Sequence, residues 1–125
     1  MTQACETSSG SCGGDLARGQ KLLLLWGLPL LVAVLGWFTG PWRWTVWAVT
    51  LLWMGVACSI NAKGCGRVHC AFTGPLYIIL GLVAAACATG RMSPSPVWFW
   101  VVAIGGTIAA FVPEWRGKVY WKTNE

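Results

Sequence analysis

Four long apolar runs organise the chain, at residues 22 to 39 (LLLLWGLPLLVAVLGWFT), 43 to 60, 71 to 89 and 97 to 113. Each is close to the ~17 to 25 residues that a helix needs to cross the hydrocarbon layer of a bilayer. The runs are continuously apolar rather than alternating, which argues against a β-barrel, and lipid admits only helices or closed barrels. The pattern predicts an all-α integral membrane protein with four transmembrane helices in two hairpins. Residues 1 to 20 would form a flexible N-terminal tail, 21 to 115 the membrane domain, and 116 to 125 a short C-terminal tail.

The breaks between runs carry helix-boundary chemistry: Gly40-Pro41 after the first, Gly74-Pro75 at the start of the third, and Gly90 followed by SPSP before the fourth. Residues 61 to 70 read as the loop joining the middle spans. Pro29, inside the first run, should kink it. The first fifteen residues, MTQACETSSGSCGGD, are rich in Gly and Ser and lack the basic start of a signal peptide, so they read as a mobile cytosolic tail.

Composition fits this picture: 56% of the 125 residues are hydrophobic and 10% are charged. Glu6, Asp15, Glu114 and Glu125 are the only acidic residues, and all lie outside the four runs. No carboxylate is therefore expected at membrane depth. The basic residues supply an orientation. Arg18, Lys21, Lys63, Arg67, Arg116, Lys118 and Lys122 flank one side of the spans, against Arg43 and Arg91 on the other. By the positive-inside rule both termini and the 61 to 70 loop face the cytoplasm of a bacterial inner membrane. The basic pI then reflects orientation and contact with membrane lipid, with no nucleic-acid footprint. Trp37, Trp42, Trp44, Trp98 and Trp100 mark the outer ends, and Trp115, Tyr120 and Trp121 the inner face, as an interfacial belt would.

The candidate chemistry is concentrated in CSINAKGCGRVHC, residues 58 to 70, which holds Cys58, Cys65, Cys70 and the only histidine, His69. Thiolate and imidazole are soft or borderline ligands suited to mercury, copper or zinc, and the oxygen ligands that calcium or magnesium require are missing. The spacing C-x6-C-x3-H-C is not a zinc-finger pattern. Gly64 and Gly66 bracket Cys65, while Arg67 and His69 can favour a thiolate. Met54 precedes Cys58 by four residues on the same helical face. Cys5 and Cys12, in the tail, could reach the loop and act as a relay. Cys87 lies among small residues and reads as a packing residue. The same segment read as a plain connection leaves its cysteines reduced and idle.

With four short helices, basic inner loops and the cysteines Cys65 and Cys70, the chain resembles the small inner-membrane transporters of bacterial mercury-resistance systems. The resemblance lies in architecture and not in a shared motif. It implies passage of a transiently bound thiophilic ion between cysteines toward a cytosolic metal acceptor or reductase, without enzymatic turnover. Those transporters also carry a cysteine pair in the first helix, and residues 22 to 39 contain no cysteine. The ion would then be received at Cys87, Met54 or Cys58, or by a partner chain. Two other functions fit the sequence: a membrane thiol oxidoreductase, and a non-catalytic subunit or assembly factor. The small residues Gly105 and Ala109, with Gly106 and Ala110, would allow a homo-oligomer or a hetero-complex.

Overall fold

The computed structural model describes residues 19 to 117, apart from the side chains of Gly19 and Cys65. The described residues are all-helical in class, and among them are four helices long and apolar enough to cross a membrane: Gln20–Phe38, Gly40–Gly64, Val68–Ala88 and Pro96–Trp115. Cys5, Cys12, Arg18, Lys118, Tyr120, Trp121 and Lys122 lie outside the described residues.

The first span is a composite rod. It begins as α1 (Gly19–Leu22), passes through a π-helical turn (Leu23–Gly27) and continues as α2 (Leu28–Leu35) before tightening into a 3-10 turn at Gly36–Phe38. The π turn lies directly before Pro29. Proline has no N–H to give and its ring crowds the carbonyl four residues earlier, so a local change of helical pitch is where the chain absorbs it.

After a second 3-10 turn at Gly40–Trp42 come α3 (Arg43–Cys65), α4 (Val68–Ala88) and α5 (Pro96–Trp115). The segment expected to be a ten-residue loop, 61 to 70, is almost entirely helical. Only Gly66 and Arg67 lie between α3 and α4, so Cys65 and Cys70 are helix-terminal residues and not loop residues. Gly66 makes this tight junction possible. Its φ of 65° is left-handed, and its N–H closes the α3 end on the Ala62 carbonyl at 2.8 Å. Arg67 then returns to extended backbone and α4 starts at once. Polarity at Asn61 and Lys63 signalled the end of an apolar run, which is a different thing from the end of a helix. Pro75, for the same reason, lies well inside α4 rather than at its start.

The helical hairpin α3–α4 is the tightest packed pair, and it straddles the middle junction rather than either of the two hairpins expected at the outer ends. Glycines set the spacing. A Cβ on Gly74 would stand 2.6 Å from Ser59 Oγ and 3.1 Å from the Ser59 backbone nitrogen, and one on Gly81 would stand 2.7 Å from Leu52 Cγ. Gly74 is therefore a contact residue, not a boundary residue. On α5, Gly106 meets Leu76 of α4 and Ala110 is buried, whereas Gly105 has open space beside it.

The core between the helices is notably aromatic. Trp47 is fully buried, donates its indole N–H to the Ala33 carbonyl at 2.9 Å, and packs against Trp37, Trp44, Phe99 and Trp100 at centroid distances of 5.1 to 5.8 Å. Trp44 and Trp100, expected in the interfacial belt, thus turn partly inward. Trp42, Trp98 and Trp115 remain exposed.

Candidate functional site

The α3–α4 junction brings three of the expected residues together. Cys58 lies two turns before the end of α3, and His69 and Cys70 lie in the first turn of α4. The short Gly66-Arg67 connection folds these two helix ends side by side, so all three side chains are buried. Cys58 and Cys70 are free thiols within interacting distance of one another.

Each sulfur has polar company. The indole N–H of Trp26 donates to Cys58 Sγ at 3.3 Å. This contact pins the π-helical turn of the first span against α3. The Asn61 side-chain amide donates to Cys70 Sγ at 3.5 Å, and His69 Nε2 stands 3.3 Å from the same sulfur. Thr73 donates to the His69 carbonyl at 2.9 Å, satisfying its hydroxyl in the first turns of α4.

Glu114, expected outside the four apolar runs, completes the cluster. It sits in the last turn of α5, where its Oε1 lies 2.5 Å from His69 Nδ1, 3.4 Å from the His69 backbone N–H and 3.7 Å from Arg67 Nε. Phe111, one turn earlier, stacks on the imidazole with centroids 4.3 Å apart. The carboxylate stands one residue beyond the fourth apolar run, yet still within the last turn of α5. Arg67 and His69 offset the cost of desolvating it, and the α5 apolar run simply continues helically through Pro113 to Trp115.

A carboxylate on Nδ1 selects the tautomer protonated at that nitrogen and leaves the Nε2 lone pair facing the Cys70 thiol. The resulting order, Glu114 to His69 to Cys70, orients the imidazole from behind and offers it as a proton acceptor to sulfur. A carboxylate behind a histidine is also the usual outer-shell partner of a metal-binding imidazole.

Among the described residues no three His, Cys, Asp or Glu side chains form a ready ligand shell for one ion. What the site does present is a pair of thiols, Cys58 and Cys70, with a buttressed imidazole beside one of them. Of the other candidates, Cys65 ends α3 with its side chain outside the described set, and Cys5 and Cys12 lie outside it altogether. Cys87 is buried toward the opposite end of α4, away from the cluster. Met54 is buried one turn from Cys58, and both line the same cavity, as their spacing on one helical face predicted.

Sequence reasoning missed Glu114, Trp26 and Asn61. Glu114 carried a signal: it directly follows the fourth apolar run and is the one acid adjoining a span. It therefore lies within reach of Arg67 and His69 in the neighbouring junction. Trp26 carried a weaker one, as a tryptophan within an apolar run and not at its end. No family model, curated protein sequence or solved structure matches the chain, so the functional reading rests on this geometry and on the sequence.

Proposed function

We propose that this is a bacterial inner-membrane protein that binds a thiophilic cation, Hg(II) or Cu(I), between Cys58 and Cys70 and passes it across or out of the membrane. The observation that carries the reading is the burial of two free thiols in mutual reach at the α3–α4 junction, with His69 braced by Glu114 beside them. Hg(II) and Cu(I) are satisfied by two sulfur ligands, whereas a structural zinc site wants four ligands. With both termini cytoplasmic, the pair faces the reducing side, where thiols stay available. Cys65, Cys5 and Cys12 then serve as onward ligands toward a cytosolic acceptor or reductase. No phosphate-binding loop is present in the sequence, so movement follows a gradient maintained by capture in the cytosol.

Binding of Hg(II) to the purified protein, measured by competition against a small thiol, tests this directly. Cys58→Ser and Cys70→Ser are each expected to weaken binding at least 100-fold, or about 2.7 kcal/mol. Unchanged affinity in the double variant would overturn the reading.

The same thiol proximity favours a second reading, a dithiol that cycles with a disulfide. Mass mapping of cysteines from cells would detect a Cys58 to Cys70 bond. Its absence under oxidising growth would leave the metal reading alone.

A further inference from the structure

A cavity of about 360 Å³ lies between the first span and α5, floored by α3 and α4. Leu30 and Ile104 line it and are about half exposed, so it opens on the apolar outer surface of the bundle. Phe111 and Trp100 line its two ends. They are eleven residues apart on one helix, so the slot is about 16 Å long at ~1.5 Å per residue. That is roughly half of the ~30 Å hydrocarbon core of a bilayer, the depth filled by the acyl chain of one leaflet.

The walls suit a hydrocarbon. Among the described residues no Asp, Glu, Lys or Arg lines the slot. Its hydroxyl groups are already committed: Tyr77 and Thr107 bond each other at 2.7 Å, Thr107 also donates to the Ala103 carbonyl, Thr50 to Val46, and Thr73 to His69. An alkyl chain needs no polar partner there and gains by leaving water.

The Phe111 end holds the chemistry. His69 stacks on Phe111, Cys58 lines the slot beside it, and the Trp26 N–H holds the Cys58 sulfur. Cys70, in reach of Cys58, meets His69 Nε2 at 3.3 Å, and Glu114 secures the other ring nitrogen. A thiol group with a braced imidazole behind it, at the end of an apolar slot, is the equipment that acyl transfer through cysteine uses. The helix ends on this side are basic as well. Lys21, Lys63 and Arg116 are exposed there, a rim complementary to the phosphates of a carrier thiol.

From this we infer that the slot binds a long-chain acyl group and that Cys58 accepts it from the thioester of a phosphorylated carrier thiol. The inference is separate from the cation reading and does not need it. The step is a thioester exchange with no redox change: R–CO–S–R′ and the Cys58 S–H give R–CO–S–Cys58 and R′–SH. The Cys58 sulfur adds to the carbonyl carbon and the C–S bond to the carrier breaks. The Cys58 proton passes over Cys70 and His69 Nε2 to the leaving sulfur.

The test gives the full chain, in lipid vesicles, octanoyl-, myristoyl- or icosanoyl-coenzyme A. Hydroxylamine-labile acyl mass on Cys58 and Cys87 is followed by mass spectrometry. An extended chain advances roughly 1.2 Å per bond, so the slot fits about 13 carbons. Myristoyl should label Cys58 at least tenfold faster than the shorter or the longer chain does, and at least tenfold faster than it labels Cys87, the buried thiol toward the other end of α4. Ile104→Trp, from a half-exposed wall position about 10 Å along α5 from Phe111, shortens the slot and should move the optimum to octanoyl. Leu30→Trp is a second such block, from the first span. A rate that climbs through icosanoyl, as simple partitioning into the membrane would give, would overturn the inference. So would equal labelling of Cys87, or an optimum that neither tryptophan moves. Hg(II) binding is scored separately, and its failure leaves these outcomes as they are.

Discussion

The middle of this bundle and its flanks follow different packing rules. Half of the α3 span and 44% of the α4 span are buried within the protein, against 17% for both the first span and α5. In the middle pair, glycines and a serine bring two backbones together so closely that a single added methyl group would collide. On the flanks, leucines, valines and isoleucines stand outward, while Trp37, Phe99 and Trp100 pack inward on Trp47, and polar contacts join the flanks to the middle: Trp26 to Cys58, Trp47 to the Ala33 carbonyl, Tyr77 to Thr107, Glu114 to His69. The middle pair is a rigid platform for two sulfurs. The flanking helices are clamps attached to that platform by aromatic packing on Trp47 and by a few polar contacts, and a cavity lies between them.

This division can be broken from its strongest point. Gly74→Leu places a side chain into Ser59 and should cost about 3 kcal/mol or abolish folding, read as thermal unfolding in detergent. The clamp on the far side is next. Glu114→Gln keeps the size of the side chain but removes the charge that orients His69, and it should weaken Hg(II) binding between ~10-fold and 100-fold without comparable loss of stability. Full affinity in that variant would show that His69 needs no brace. Trp26→Phe removes one N–H donor from the Cys58 sulfur and should cost about 1 kcal/mol of stability. A cost of several kcal/mol would mean that the first span is far more than a clamp. The smallest effect is expected at Gly105→Leu, where nothing lies within 4 Å. Its change in unfolding should stay within about 0.5 kcal/mol, in contrast to Gly74. A large loss there, or a loss of higher-order assembly on a sizing column, would reveal a partner on the open face of α5.

The site was legible in part. Cys58, His69 and Cys70 stood out as a dense group of soft ligands in one short stretch, and the Met54 to Cys58 spacing correctly set both on one face. Their environment was not legible. The expected loop at 61 to 70 would have left the cysteines exposed and loosely placed. A two-residue junction instead buries them, because a left-handed Gly66 can end one helix and allow the next to start immediately. Hydropathy reports where lipid would stop and says nothing about where backbone hydrogen bonding stops.

By itself, then, the sequence determined the number of helices long and apolar enough to cross a membrane, their approximate limits and the all-helical class, since an apolar run near bilayer thickness admits few other structures. It also determined which residue types were available for chemistry. Which of them meet was decided by tertiary structure alone. Glu114 reaches His69 across 45 positions, and Trp26 reaches Cys58 across 32. Those meetings depend on how closely α3 and α4 approach and on which way the outer helices lean against them. Shape complementarity between helices fixes both, and no local pattern in the chain encodes it.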